Sequence, residues 1–188
     1  DTHLVALPLF HTFGETVNMN AGFSMGATLV MIPRFEPQQA LELLLDKLKK
    51  TRNNVEFLQI APTSRSDVRT YQHIREQLES QAGHLNGRMS DLDWTPLHYL
   101  NKSYDRRVLM GLFRAADVGF VTPLRDGMNL VAKEYIACRS NDDSALVLSE
   151  FAGAARELKQ AYMVNPYDID GMKATIMKAL TDSPKIKA

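Results

Sequence analysis

The sequence predicts an α/β domain of three layers, α/β/α, around a mainly parallel sheet of six to seven strands. Seven short apolar runs, each four to six residues long, end at Pro, Asn or Ser turn signals, as suits strands buried on both faces. Longer segments between them carry apolar residues at helical spacing. The two kinds alternate along the chain, which gives βα units, and right-handed crossovers then set helices on both faces of the sheet.

The first strand is expected at Leu4–Leu7, followed by an apolar helix from Gly14 to Met25 with Val17, Met19, Ala21 and Phe23. Thr28–Ile32 is the second strand. The helix Glu36–Lys50 carries Leu41, Leu44, Leu45 and Leu48 on one stripe, with lysines at its C-terminal end where the dipole favours them. Val55–Ile60 precedes a helix over Asp67–Ala82, and Leu97–Leu100 precedes one over Asp105–Ala116. Val118–Val121 leads to Asn129–Cys138, and Ala145–Leu148 leads to Ala152–Lys159. Ala161–Val164 and the helix Asp168–Thr181 close the domain, and the tail 183–188 is expected to fray.

At 188 residues and 45% hydrophobic, the chain suits one domain with a filled core. Twenty-two basic residues balance 22 acidic ones, so neither nucleic acid nor an anionic membrane is a predicted partner. No apolar run nears the ~20 residues of a membrane span, and the predicted setting is cytoplasmic or recombinant. Asp1-Thr2-His3 reads as an excised or engineered beginning. Cys138 is the one cysteine and reads as a small buried residue. The five histidines, His3, His11, His73, His84 and His98, fall on separate elements without metal-ligand spacing, so no metal or cofactor is expected. Residues 1–33 hold two acidic residues, Asp1 and Glu15, and no Lys or Arg, against a densely charged remainder. That contrast points to a boundary near residues 34–54, and the single domain is expected to divide into segments 1–50 and 51–182.

In an open parallel sheet, ligands bind beyond the carboxyl ends of strands, where helix N-termini attract anions. Three turns qualify. Thr122–Glu134 follows a strand and opens a helix. There Gly127 permits close backbone approach, Met128, Asn129 and Leu130 present the first N–H groups, Asp126 suits sugar hydroxyls and Glu134 a ribose diol. On spacing alone, a capping Asp126 and a solvated Glu134 explain the same residues. Ser149–Ala154 is a small-residue turn fit for close packing or for a ligand. Arg65, at the end of Gln59–Arg65, reads as a phosphate clamp or as a surface arginine.

Together these strings resemble a family. Leu58-Gln59-Ile60-Ala61-Pro62-Thr63-Ser64-Arg65, Leu92–Pro96, Leu100–Arg106, Val121–Tyr135, Leu148–Ala155 and Val164–Asp168 resemble, in order over residues 55–181, the donor-binding half of trehalose-6-phosphate synthase. That enzyme is a retaining glycosyltransferase of two Rossmann-like domains. The resemblance implies that Asp126, Gly127, Met128 and Asn129 touch the transferred glucose and diphosphate of UDP-glucose. It implies that Leu130 and Val131 follow on the diphosphate, Glu134 holds the ribose, Leu100-Asn101 lies near the uracil, and Arg65 helps bind the acceptor phosphate.

Where the family carries an Arg-Leu-Asp-Tyr-x-Lys-Gly turn, this chain has Arg34 in the place of the arginine but Gln39 in the place of the lysine. One lost charge-assisted contact costs about 1.5–3 kcal/mol. The family's acceptor-binding domain has no counterpart in these residues. Instead, Leu7–Gly14, Met19–Gly22 and Gly26–Phe35, within residues 4–48, resemble adenylate-forming acyl-CoA ligases, whose phosphate loop and catalytic lysine are missing; His11 then reads as a packing residue. The expectation is a chimera in which Thr28–Lys50 replaces the synthase's first βα unit and Leu4–Ala27 is an extra unit whose strand displaces a neighbour, docks on an edge or pairs with another chain, the last giving a homodimer. Its function is expected to be weak UDP or UDP-glucose binding without turnover. The alternatives are a fold with no biochemical role and, further off, a working glycosyltransferase.

Overall fold

A computed structural model describes residues 2–6, 29–30, 55–62, 69–139 and 144–182. Seven strands form one sheet: β1 (Thr2–Ala6), β2 (Leu29–Val30), β3 (Val55–Ile60), β4 (Leu97–Leu100), β5 (Val118–Val121), β6 (Ala145–Ser149) and β7 (Tyr162–Val164). The helices are α1 (Arg69–Met89), α2 (Arg106–Ala115), α3 (Leu130–Cys138) and α4 (Ile169–Thr181). Every strand pairing is parallel. β3 runs between β4 and β1, β1 joins β5, and β6 and β7 continue outward, while Leu29 and Val30 register with Glu56 and Phe57.

The alternation of burial along the strands builds two cores. Val55, Phe57, Val118, Phe120, Ala145 and Val147 meet Ala82, Leu85 and Met89 of α1 and Met172, Ile176 and Ala179 of α4. On the opposite face, Leu58, Ile60, Val121, Leu146 and Leu148 meet Leu112 and Phe113 of α2 and Val131, Ala132 and Tyr135 of α3. The three-layer expectation therefore holds. Asp105 and Asp168 start α2 and α4 by accepting from the N–H groups of Arg107 at 3.4 Å and Gly171 at 2.9 Å.

Several sequence expectations are corrected. α1 runs to Met89 rather than Ala82, because Leu85 and Met89 prolong its buried stripe by three- and four-residue steps. The helix expected over Ala152–Lys159 is a single 3-10 turn, Gly153–Arg156. Its small residues pack against a neighbouring turn instead of propagating a helix. Of the three placements open to the first strand, displacement of a neighbour is the one found: β1 lies between β3 and β5, with Val5 opposite both Leu58 and Gly119. This first strand is flanked on both sides and offers no open edge for exchange with another chain. The helices expected at Gly14–Met25 and Glu36–Lys50, and the tail, lie outside the described residues. Cys138 is partly buried, and burial pushes its thiol up.

Among the described residues no helix is long and apolar enough to cross a membrane, and no three His, Cys, Asp or Glu side chains gather as metal ligands.

One close approach fixes α3 against the sheet. A Cβ on Gly119 would lie 2.8 Å from Cδ1 and Cε1 of Tyr135, whose ring is 0% exposed and whose hydroxyl donates to the Ala116 carbonyl at 3.1 Å. Burial pushes the Tyr135 phenol well up, so it remains a donor. Gly119→Ala is expected to cost about 1–3 kcal/mol by overpacking. Gly83→Ala, in the middle of α1 with nothing within 4 Å of its Cβ, is expected to stabilise by about 0.5–1 kcal/mol. Urea unfolding of the two variants checks the opposite signs.

Candidate functional site

All strands being parallel, their carboxyl ends, Ile60, Leu100, Val121, Ser149 and Val164, come to one edge of the sheet. The turn after β5 is the most organised feature there. Asp126 Oδ1 accepts from the backbone N–H of Met128 and of Asn129, both at 3.1 Å, and its Oδ2 accepts from Asn129 Nδ2 at 3.1 Å. Asn129 stands in the left-handed region at φ 66°, the one non-glycine residue with positive φ among those described. It caps α3 by accepting from the Ala132 N–H at 2.9 Å. With that bond made, the N–H groups of Leu130 and Val131 are the first-turn donors of α3 that have no intrachain partner among the described residues.

The turn after β6 is bound to this one. Ser149 Oγ accepts from Phe151 N–H at 3.1 Å. Asp126 N–H donates to Phe151 O at 3.3 Å, Gly153 N–H to Asp126 O at 3.1 Å, and Ala154 N–H to Met128 O at 2.7 Å. The backbones meet so closely that a Cβ on Gly153 would overlap the Gly127 carbonyl oxygen. Lys133 Nζ adds two bonds of 2.8 Å to the Glu157 carboxylate. Sequence reasoning placed each turn at the ligand edge but missed their union; the small Gly153 between Ala152 and Ala154 was its one visible signal.

The structure thus gathers Asp126, Gly127, Met128, Asn129, Leu130 and Val131 into one turn, with Glu134 exposed on the helix that follows. Asn129 is buried, whereas Met128 and Leu130 are 52% and 60% exposed. Leu100 is half-buried at the end of β4, its carbonyl accepting from Ala61 N–H at 2.8 Å. In the strand order it stands three positions from β5, about 14 Å at ordinary strand spacing. Beside it, Asn101 Nδ2 donates to Glu79 at 3.0 Å, and Glu79 pairs with Arg75 at 2.7 Å, which holds its carboxyl below the usual range. Two buried polar atoms near the same edge, Gln59 Nε2 and Thr122 Oγ1, have no hydrogen-bond partner among the described residues. Gln59 interrupts an apolar run, the signal that marks it in the sequence. Arg34 and Arg65, like Gln39 and His11, lie outside the described residues.

Asn129 tests the turn's geometry. Asn129→Ala loses the cap and forces an alanine into the left-handed region, an expected cost of about 2–3 kcal/mol. Asn129→Gly keeps the backbone and is expected to cost less than half of that. Thermal melts that rank glycine below alanine would remove the backbone argument.

A parallel sheet with helices on both faces and two joined turns at its carboxyl edge defines a Rossmann-like α/β domain. Residues 37–188 match the model of glycosyltransferase family 20, and the chain belongs to that family. The trehalose-6-phosphate synthase of Sodalis glossinidius (strain morsitans) is 57% identical over 144 residues, 76% of this chain and 31% of that protein. A solved structure from work on bisubstrate glycomimetics of trehalose-6-phosphate synthase superposes with a TM-score of 0.80 at 45% identity, covering 99% of this chain and 38% of that one. The E. coli protein bound with UDP-2-fluoro glucose gives 0.76 at 54% identity, over 81% of this chain and 34% of that one. The chain spans about a third of the length of the relatives it matches.

Proposed function

We propose that this chain binds a nucleoside diphosphate sugar of the UDP-glucose type at the joined turns, and that these 188 residues alone do not transfer the sugar. The observation that carries the reading is the turn Asp126–Val131. One carboxylate organises the backbone while Leu130 and Val131 keep two N–H groups open at a helix N-terminus. Asp126, Gly127, Met128 and Asn129 would meet the glucose and diphosphate, Leu130 and Val131 the diphosphate, and Glu134 the ribose. Leu100 would meet the base, since the roughly 14 Å between β4 and β5 suits an extended nucleoside diphosphate. The fluorinated UDP-glucose bound to the E. coli relative supports the same class of ligand.

Arg34 is assigned to the diphosphate and Arg65 to an acceptor phosphate from sequence alone. Gln39 in place of a lysine makes the binding weak. Transfer needs an acceptor held against the donor, and this chain by itself supplies one Rossmann-like unit. Calorimetric titration with UDP and UDP-glucose is expected to give heats saturating only at high micromolar to millimolar ligand. No heat at millimolar ligand would leave a scaffold. Trehalose-6-phosphate formation that disappears in Asp126→Ala would overturn the claim of no turnover.

A second reading concerns origin. The family match begins at residue 37, while a trehalose-6-phosphate synthase structure superposes over 99% of the chain; a recombined first segment rests only on the resemblance of residues 4–48 to acyl-CoA ligases. It implies no ligase activity.

A further inference from the structure

The joined turns are closed by backbone bonds and by Asp126, Asn129 and Ser149. The ion pair of Lys133 with Glu157 lies outside that set. Its side chains are 30% and 64% exposed, and a pair so wet adds little to stability. Lys133 is nevertheless the one basic residue of the stretch Asp126–Glu134. It stands fourth in α3, and a helical side chain leans back over the turn before its own Cα. Three residues rise about 4.5 Å, within the length of a lysine stem, so the ammonium can come level with the helix start. Its partner places it there. Lys133 Nζ donates to both Glu157 oxygens at 2.8 Å, Glu157 N–H donates to the Ala154 carbonyl at 3.0 Å, and Ala154 N–H donates to Met128 O at 2.7 Å. Glu157 is thus tied to the residue two before the helix, and the ammonium it holds stands at the same end as the N–H groups of Leu130 and Val131.

We propose that Lys133 is a cation of the diphosphate site and that Glu157 holds it until the diphosphate arrives. The inference rests on the reading of Asp126–Val131 as that site. With Gln39 in the place of a lysine, the site is one cation short. A diphosphate carries more negative charge than the single carboxylate of Glu157, so the ammonium gains by changing partner. A compact charge on a flexible stem makes that change by rotation of the side chain alone.

The test is calorimetric titration of the full chain with UDP and with uridine, which lacks the phosphates. Lys133→Met is expected to weaken UDP about tenfold, as the loss of a charge-assisted contact does. Glu157→Gln, which releases the ammonium, is expected to tighten UDP about threefold. In the Lys133→Met background that gain is expected to shrink, and uridine is expected to bind all forms alike. A pair that only braces the turns would weaken UDP on either change, so equal weakening overturns the proposal. Unaltered UDP affinity in Lys133→Met, or an undiminished Glu157→Gln gain in the double variant, overturns it as well. Should Lys133→Met fail to fold, Lys133→Gln decides. No UDP uptake by the unsubstituted chain would remove the diphosphate reading itself, and this inference with it; an overturned inference beside normal UDP uptake leaves that reading standing.

Discussion

Gly153→Ala is expected to be the most damaging single added methyl among the described glycines. The added carbon would overlap the Gly127 carbonyl oxygen and lie 2.8 Å from Gly127 C and 3.1 Å from Met128 Cα. These are backbone atoms tied by the bonds Gly153 N–H to Asp126 O and Ala154 N–H to Met128 O, so neither side can swing away as a flexible side chain would. The turns must separate, at about 3 kcal/mol or more, the upper end of overpacking costs. Separation also dislodges Asp126 and the open N–H groups of α3, so UDP-glucose affinity is expected to fall at least tenfold. Urea unfolding measures the first effect and calorimetry on the folded variant the second. Unchanged stability would mean that the two turns are not the rigid unit described.

Asp126→Ala separates organisation from contact. The carboxylate accepts three hydrogen bonds from Met128 and Asn129, and a hydrogen bond to a charged group contributes about 1.5–3 kcal/mol net of compensation by water. Its loss is expected to weaken UDP-glucose binding by about 30-fold or more. The effect on UDP should be smaller, because the carboxylate is assigned to sugar hydroxyls while removal of a negative charge eases the approach of the diphosphate. Asp126→Asn, which retains one acceptor for the two N–H groups, is expected to fall between. Equal losses for UDP and UDP-glucose would take the glucose contact away from Asp126 and leave it only the turn.

The parts of this fold that were legible in the sequence are those where one face had to be buried. The alternation of Val55, Phe57, Leu58 and Ile60, and the continuous run Ala145–Leu148, admit little besides buried parallel strands, and both appear with nearly the expected bounds. Helix ends followed local chemistry, as the caps Asp105, Asn129 and Asp168 show. The turn Asp126–Asn129 was readable because Asp, Gly and Asn are the residues that such backbone demands. Illegible were contacts between distant parts. Nothing local to Leu4–Leu7 says that it lies between β3 and β5, and nothing local to Ala152–Lys159 says that a neighbouring turn replaces its helix by one 3-10 turn. The Asn86 amide on Leu97 likewise joins residues whose sequence shows only a polar position on a helix.

The position of β1 has a consequence for how the chain acquires its shape. Leu4 registers with Phe57 and with Val118, so the strand that joins the β3–β4 pair to the β5–β6–β7 group is the first of the seven to be synthesised and waits longest, from its own synthesis, for its second neighbour. Closing that gap spans more than half of the chain, a high-separation contact of the kind that slows assembly. On the ribosome, Thr2–Ala6 must wait with unmatched backbone groups until Val118 emerges. That interval is when the nascent chain is open to strand-seeking partners and most in need of a chaperone.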